Sequence, residues 1–276
     1  MTAAPRHHCR ILRTPWKEAY GTHAESGVHY EKHAHGTFGI GVLEHGAQRS
    51  ASGRGPVEAF AGQVLTTNPG EVHDGRPFGA ASRRWRMVYL EPAFFCAFGA
   101  RADREIERPV IDDGALASTL RRLFLRLDAW ARVGKCGDAE ALACEETLSE
   151  ACSRVLHQHA GDPGAAAAGK EVERMRERLG DHAGEAPSLE ELARIAGLSR
   201  FQALRRFQRA YRLPPHAWLL QQRVERARGL IRAGERLSDA AARCGFADQS
   251  HMTRAFVRRY GFTPGAWRRA CNSVQD

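Results

Sequence analysis

The chain has 276 residues, of which 43% are hydrophobic and 26% are charged, a composition typical of a folded globular protein. It contains no run of about 18 apolar residues and no apolar leader followed by small residues, so we expect neither a membrane-spanning helix nor a signal peptide. Its net charge of +9 lies entirely in residues 170–276, where 21 Lys/Arg face 12 Asp/Glu and all but one of the 21 are Arg. This imbalance predicts a polyanionic partner for that segment and no membrane partner.

The seven cysteines are scattered along the chain and form no CxxC pair. Such a set argues against a disulfide framework and against a cysteine zinc site, and it favours a reducing compartment. We therefore expect a cytoplasmic protein.

The first predicted structural region covers residues about 26–92. It is rich in glycine and contains short β-like stretches, such as FGIGVLEHG and RRWRMVYLEP, with turn residues between them. Proline is confined to the joints. This pattern is typical of many short antiparallel strands, so we predict a sandwich or small barrel.

Three histidines of this region are candidate site residues. His33 and His35 share one face of a strand because they are two residues apart, and His73 follows the turn Pro-Gly-Glu that ends at Glu71. We predict a pocket lined by His33, His35, His73, Glu71 and Trp85. Three interpretations of the histidines stay open: a pocket for a polar ligand, a structural role, or a site for a divalent metal such as zinc, iron or nickel. Apart from that metal, no cofactor is expected.

The apolar period then changes to that of a helix. Two amphipathic helices are predicted over about 112–130 and 138–159. The inward-facing residues of the first are Leu116, Leu120, Leu123, Leu127 and Trp130, and those of the second are Leu142, Leu148, Cys152, Val155 and Leu156. These stripes serve either as simple core or as a seam between two subunits.

A linker is predicted over 161–170, where GDPGAAAAGK separates a domain at 1–160 from a domain at 171–272. The second domain is predicted to be all helical. Helix N-caps are predicted at four positions that precede an apolar periodic run: Ser188, Ser199, Ser238 and Asp248.

A repeat organises the second domain. Residues 205–218 and 254–267 share seven of fourteen positions, including an Arg, a Phe and a Tyr at the same spacing. Each copy reads as a short helix, a turn at Gly and a second helix rich in Arg, which is the pattern of a helix-turn-helix. A long helix over about 217–233 joins the two. The alternative is an all-α bundle with a solvated Arg face.

The residues of both copies, LARIAGLSRFQALRRFQRAYRLPPHAWL and SDAAARCGFADQSHMTRAFVRRYGFTPGAW, resemble the AraC/XylS family of bacterial transcription regulators. The resemblance covers about 170–271. It implies a sequence-specific regulator of double-stranded promoter DNA, more often an activator, that contacts RNA polymerase. The residues it places toward the bases are Arg200, Phe201, Leu204, Arg205, Gln249, Ser250, His251 and Arg254.

The chemistry of these side chains suits that role. Arg205 and Arg254 match the guanine edge, Gln249 can pair with adenine, and Phe201 or Leu204 can touch a thymine methyl. Contacts to phosphate are predicted for a second set of residues, Arg206, Arg209, Arg258 and Arg259.

For the first domain, the same resemblance implies a cupin-type barrel that binds a small-molecule effector, followed by helices that pair two subunits into a homodimer. The expected fold is therefore α+β: an antiparallel barrel with two helices, then an all-α domain with two helix-turn-helix motifs joined by a long helix. Enzymatic cupins carry a Glu four or five residues after their HxH, where this chain has Gly39 and Ile40. We expect no enzyme activity. The alternatives are a metal-dependent cupin enzyme with an appended DNA-binding domain and a non-specific nucleic-acid-binding protein.

Overall fold

The computed structural model describes residues 7–52, 55–99, 104–133, 138–162, 169–181 and 186–272. The chain forms two compact units. Met1–Pro163 and Ala266–Asp276 make the first, and Gly164–Gly265 make the second. Of the predicted linker 161–170, residues 163–168 lie outside the described part, while Gly161 ends a strand and Lys170 begins a helix.

The first unit is built mainly from antiparallel strands in two larger sheets and one short pair. The strands are β1 His7–Leu12, β2 Ala19–Ser26, β3 Tyr30–His33, β4 Phe38–His45, β5 Ala47–Ser52, β6 Gly55–Phe60, β7 Val64–Thr67, β8 His73–Pro77, β9 Arg83–Leu90, β10 Glu105–Ile106, β11 Val110–Ile111 and β12 Ala160–Gly161. The sheet orders are β1-β2-β9-β4-β7-β11, β3-β8-β5-β6 and β10-β12. The predicted antiparallel β-domain is thus confirmed.

The β-domain starts earlier than the predicted boundary at about residue 26. Strand β2 lies between β1 and β9, so it is paired on both sides. Its small residues carry little β-propensity, which hides it in the sequence. At Gly21 a Cβ atom would lie 2.9 Å from the Cβ of Leu12, so the close approach of β1 requires the small residue.

Within residues 1–163, the described part of the chain also forms three helices: α1 Pro92–Cys96, α2 Gly114–Val133 and α3 Asp138–Gln158. The two long helices match the predicted ones. Four leucines of the α2 stripe are buried in the core with Ile40 and Val88 of the barrel; these are Leu116, Leu120, Leu123 and Leu127. The stripe therefore forms core and is not available as a seam between subunits.

One predicted inward residue of α3 is wrong. Leu142 is 58% exposed, whereas Leu148, Cys152 and Val155 are buried as predicted. Leu142 stands six positions before Leu148, which at 3.6 residues a turn places it about 120° around the helix from that stripe.

The second unit is helical, as predicted. Its helices are α4 Lys170–Gly180, α5 Leu189–Ala196, α6 Arg200–Tyr211, α7 Pro215–Arg232, α8 Leu237–Arg243 and α9 Gln249–Tyr260, and α10 Pro264–Asn272 follows. Helix α7 begins two residues before the predicted start because proline is favoured at the first helical position. The turns after α5 and α8 contain Gly197 and Gly245 in the left-handed region, with φ of +68° and +72°.

The predicted N-caps are confirmed at three of four positions. Ser188 accepts a hydrogen bond from Glu191 N, and Asp248 accepts one from His251 N. Ser199 forms a full capping box with Gln202. The prediction for Ser238 is wrong, since α8 begins at Leu237 and Ser238 lies within its first turn.

Asp113 joins the two long helices of the first unit. Its Oδ1 accepts hydrogen bonds of 3.0 Å from the backbone amides of Ala115 and Leu116 at the start of α2. Its Oδ2 lies 2.6 Å from Arg154 Nε on α3 and 3.0 Å from His159 Nε2. The Arg154 hydrogen bond is the largest cause that holds the pKa of this carboxyl well below its ordinary value of 3.8.

We expect Asp113→Asn to lower the free energy of unfolding by about 1–3 kcal/mol at neutral pH, because the charge-assisted bonds to Arg154 and His159 are weakened. A carboxyl with a depressed folded pKa stabilises the fold above its unfolded pKa and loses that contribution as the pH falls below it. The difference between variant and wild type should therefore shrink below pH 3.8 in thermal unfolding measured across pH. The exposed neighbour Asp112→Asn is the control and should show neither effect.

Candidate functional site

The predicted base-reading residues of α6 lie on its outer face. Arg200, Phe201 and Arg205 are exposed and Leu204 is half-buried. On the opposite face, Ala203 and Phe207 are buried in the core of the unit, together with Val172, Met175, Leu192, Ala196 and Leu219. The guanidinium carbon of Arg205 lies 5.5 Å from the centre of the Phe201 ring, so these two readers form one cation–π pair.

The second set lies on the matching face of α9. Gln249, Ser250 and Arg254 are exposed, while Met252 and Phe256 are buried. His251 is half-buried, because its ring meets Phe246 edge-on with the centroids 5.3 Å apart. Both helices therefore present predicted readers outward from an aromatic core.

Of the predicted phosphate contacts, Arg209 and Arg258 are exposed. Arg206 is also half-exposed, although its Nη1 bonds Glu171 Oε1 at 2.8 Å. The prediction that Arg259 contacts phosphate is wrong. Its side chain is only 7% exposed, and it donates from Nη2 to Glu225 Oε2 and from Nη1 to Gln221 O, both at 2.8 Å. A guanidinium buried in this way holds the fold together and does not meet phosphate.

Glu225, the partner of Arg259, lies on α7 and shows that each copy of the repeat contains three helices and not two. Glu173 on α4 accepts a 2.6 Å hydrogen bond from the Tyr211 hydroxyl at the end of α6. Glu225 on α7 accepts one of 2.8 Å from the Tyr260 hydroxyl at the end of α9. The unit that repeats is thus α4-α5-α6 and then α7-α8-α9, with one Glu–Tyr bond in each copy.

Sequence reasoning did not recognise that α4 and α7 belong to the repeat, although a signal existed. VERMR at 172–176 and VERAR at 224–228 match at four of five positions. They are 52 residues apart and not 49, because the connection after α4 differs in length from the one after α7. A search for a single fixed period does not find them.

The two copies differ in how their glutamates are covered. Glu173 bonds Arg176 Nε at 2.7 Å, and that Arg is 41% exposed. Glu225 bonds Arg228 Nε at 2.7 Å, and Arg228 is only 5% exposed. Burial opposes ionisation of Glu225, but Arg228 and Arg259 together hold its pKa below the ordinary value. The second copy therefore carries a buried ion cluster that the first copy lacks.

The three histidines of the β-domain lie together, as predicted. His33 at the end of β3 is paired with His73 at the start of β8, and their ring centroids are 4.5 Å apart. His35 is buried, with its centroid 5.0 Å from that of His33 and 5.3 Å from that of His73. One ring nitrogen from each of the three lies within 4.8 Å of the others. We call these residues the histidine cluster.

Backbone carbonyls orient two rings of the histidine cluster. His33 Nδ1 lies 2.7 Å from Glu31 O, and His73 Nδ1 lies 2.9 Å from Glu71 O. A carbonyl oxygen can only accept a hydrogen bond, so each Nδ1 carries the hydrogen. In the neutral rings, each Nε2 therefore keeps its lone pair.

Glu71 contributes differently from the prediction. Its Oε2 accepts hydrogen bonds from the backbone amide and the side-chain amide of Asn68, at 3.1 and 3.0 Å. Asn68 in turn exchanges two bonds with the backbone of Ile106. The carboxylate thus fixes the turn before β8, and Glu71 serves the cluster through its main-chain oxygen.

Aromatic rings surround the histidine cluster. Trp85 meets Tyr30 edge-on at 6.0 Å, and Tyr30 lies 6.2 Å from the ring of His33. Tyr89 lies 5.2 Å from His35. Burial raises the pKa of both tyrosines, which keeps them as neutral phenols. The sequence analysis missed Tyr30 and Tyr89. For Tyr89 a signal existed, since Trp85, Met87 and Tyr89 are two residues apart and so share one face of a strand.

Gly39 leaves no room for the carboxylate that enzymatic cupins carry. A Cβ atom there would lie 2.5 Å from Thr67 Oγ1 and 3.1 Å from both Met87 Cε and Tyr89 Cε1. Within the described residues, no carboxylate or thiol completes the group of three. Among the His, Cys, Asp and Glu side chains of the described residues, these three histidines are the set that comes together here.

Two family models match the chain. The AraC-like ligand binding domain matches residues 18–151, and a helix-turn-helix domain matches residues 192–270. The chain belongs to the AraC family of transcriptional regulators. This assignment confirms the resemblance that the two helix-turn-helix copies carry.

Relatives of this AraC-family regulator cover most of its length. An uncharacterised HTH-type transcriptional regulator, YbfI of Bacillus subtilis, is 24% identical over 235 residues, 81% of each chain. The HTH-type transcriptional activator RhaS of Citrobacter koseri is 25% identical over 253 residues, 85% of this chain and 86% of its own. Among solved structures, ToxT of Vibrio cholerae superposes with a TM-score of 0.51 at 8% identity, covering 96% of this chain and 98% of that one, and it supports the fold alone.

The AraC-family assignment settles the main function. The protein is a transcription regulator with a DNA-binding helix-turn-helix part and a ligand-binding β-domain. A family of regulators favours regulation over the enzyme alternative. No helix in the described part of the chain is long and apolar enough to span a membrane.

The difference between the two copies predicts unequal effects of the same substitution. Glu225→Gln leaves Arg228 and Arg259 buried without a full counter-charge, which costs about 3–5 kcal/mol. Glu173→Gln, the matched control, weakens a half-exposed ion pair that is worth about 1 kcal/mol or less. Hydrogen–deuterium exchange on peptides from α9 and α6 should show strong deprotection of α9 in the first variant and little change of α6 in the second. Equal deprotection would contradict the buried ion cluster.

Proposed function

We propose that this AraC-family regulator reads promoter DNA through the outer faces of α6 and α9, in response to a small molecule in its β-domain. The observation that carries the proposal is the matched exposure of the two faces. Arg205 and Arg254 hold equivalent repeat positions, and both are exposed beside buried aromatic residues.

The chemistry of the outer faces suits base recognition. Arg205 and Arg254 can each form two hydrogen bonds with the O6 and N7 of guanine, and Gln249 can pair with adenine. Phe201 is 66% exposed, which is unusual for a large apolar side chain and suits contact with a thymine methyl. The cation–π contact with Arg205 orders that pair before binding.

The spacing of the two readers suits one face of a duplex. Helix α7 has 18 residues and is therefore about 27 Å long. Together with the turns that flank it, this helix can separate α6 from α9 by about one duplex turn, roughly 34 Å, as neighbouring major-groove segments require. Arg209, Arg258 and Arg206 then meet the phosphates between them.

The effector site in this proposal is formed by the histidine cluster and the aromatic rings around it. Tyr30, Tyr89 and Trp85 offer apolar ring faces, and the imidazoles offer polar edges. Such a mixture of aromatic walls and a few convergent polar groups is typical of small-molecule sites. Glu71 belongs to the site through its main-chain oxygen, which orients His73, and through its carboxylate, which fixes the turn.

We also propose a homodimer through the outer faces of α2 and α3. Leu125 on α2 is 67% exposed and Leu142 on α3 is 58% exposed. Arg126, next to Leu125, donates a hydrogen bond to the carbonyl of Ala143, next to Leu142, so the two leucines lie at about the same level along the helix pair. Exposed leucines at that junction suit the two-fold contact that is commonest among oligomers.

The remaining assignments follow from the same role. The activator RhaS among the relatives supports activation, through contact with RNA polymerase, as the sign of regulation. A regulator of promoter DNA acts in the cytoplasm. The alternative of non-specific nucleic-acid binding rests on the charge of residues 170–276 alone and does not account for two matched reading faces.

Base reading by α6 and α9 has a direct test. Purified full-length protein should enrich, from a random DNA pool, a motif with two short segments about 10–11 base pairs apart. Arg205→Ala and Arg254→Ala should each cost about 1–3 kcal/mol on the preferred sequence and relax specificity at one position only. Arg209→Ala and Arg258→Ala, the matched controls one turn further along each helix, should weaken binding on all sequences and reduce its salt dependence.

Enrichment of nothing beyond base composition would overturn the proposal and favour non-specific binding. Equal losses on every sequence for Arg205→Ala would instead reassign that residue to phosphate.

The proposed homodimer also has a direct test. Leu125→Glu combined with Leu142→Glu should convert the dimer into a monomer in sedimentation velocity, because four like charges would then face one another across the contact. Phe60→Glu is the control, since Phe60 is a half-exposed aromatic residue of β6 that lies on neither helix. A dimer that persists in the double variant would place the contact elsewhere.

A further inference from the structure

We propose that His33, His35 and His73 bind one divalent first-row transition-metal ion, with one ring nitrogen from each residue. This inference goes beyond DNA binding and does not depend on it. It rests on the distances within the histidine cluster, on the hydrogen bonds that orient its rings, and on the identity of its donors.

The distances suit a single ion. One nitrogen from each ring lies within 4.8 Å of the other two. Metal–nitrogen bonds of about 2.0–2.1 Å place bound nitrogens roughly 3–4 Å apart, so the rings close on an ion with shifts of about an ångström. Since His35 lies two residues after the end of β3 and the other two histidines lie at facing strand ends, small changes in side-chain torsion provide such shifts.

The carbonyl contacts prepare two of the rings for coordination. Ligating histidines usually donate their second ring N–H to a carbonyl or carboxylate, which sets the tautomer and the ring direction. Glu31 O and Glu71 O accept from Nδ1 of His33 and His73 at 2.7 and 2.9 Å. Each ring is left with its Nε2 lone pair as the donor. The turn that supplies Glu71 O is itself fixed by Asn68.

The donor set selects the kind of metal. Neutral imidazole nitrogens suit zinc, nickel, cobalt or ferrous iron, whereas magnesium and calcium need oxygen ligands that this cluster does not offer. Because a side chain at Gly39 would collide with Thr67 and Tyr89, no fourth protein ligand comes from β4. Three protein ligands leave a coordination position for water or for an oxygen atom of a small molecule.

The competing account is that the three rings merely pack on one another and on Tyr89. Packing predicts that loss of a ring destabilises the protein whether or not metal is present. Coordination predicts a saturable site with a fixed stoichiometry, whose loss follows the three histidines and no others.

The test uses full-length protein stripped with a chelator, then dialysed and titrated with Zn²⁺ against a competing chromophoric chelator. We expect one ion per chain, and at least about a 100-fold loss of affinity in each of His33→Ala, His35→Ala and His73→Ala. Co²⁺ should give visible absorption bands in the wild type that the variants lack. His29→Ala and His45→Ala are the controls, since both residues are exposed, and they should leave affinity unchanged.

Folding is monitored separately in the same samples. Zn²⁺ should raise the melting temperature of the wild type and of His45→Ala but not of His35→Gln, which keeps a polar side chain of moderate size. Weak binding that all variants share would overturn the proposal, as would melting temperatures that fall in the variants without any response to metal. The measurement uses no DNA, so its outcome is independent of whether the protein reads promoters as proposed.

Discussion

In each copy of the helical unit, a glutamate on the first helix accepts a hydrogen bond from the tyrosine that ends the third. Glu173 with Tyr211 and Glu225 with Tyr260 tie the last turn of each Arg-bearing helix to a scaffold helix. The buried Phe at the preceding turn of each helix sets which way the helix faces, and the Glu–Tyr bond prevents it from rotating. The exposure of every predicted base reader depends on that orientation.

The two copies reach the same orientation with different strength. In the first, the ion pair of Glu173 lies half in solvent, where such pairs contribute little. In the second, Arg228 and Arg259 bury their charges against Glu225, so the helix α9 cannot move without exposing or unpairing them. We infer that α9 is the more rigid reader and that α6 has more freedom to adapt to DNA.

The β-domain uses backbone atoms where the helical unit uses side chains. His33 and His73 are oriented by carbonyl oxygens two residues before each of them, and the turn before β8 is held by Glu71 and Asn68. The carboxylate of Glu71, which the sequence suggests as a pocket residue, therefore stabilises a turn. The result is a cluster of imidazole nitrogen donors in aromatic surroundings, which differs in chemistry from a site with an acidic ligand.

The sequence by itself determined the features that depend on near neighbours along the chain. The helix caps at Ser188, Ser199 and Asp248, the period of the α2 stripe and the repeated Arg–Phe–Tyr spacing all follow from local geometry, and the structure has each of them. The rings of His33 and His35 are also close, as predicted, although β3 ends at His33 and His35 lies beyond the strand. Only the tertiary structure decided which side chains are buried by a distant partner. Arg259 looks like a phosphate contact until Glu225 stands opposite it, and β2 looks too weak for a strand until β1 and β9 flank it. The physical reason is that periodicity and capping are short-range, whereas the free energy of burying a charge or a small-residue strand depends on what lies across from it.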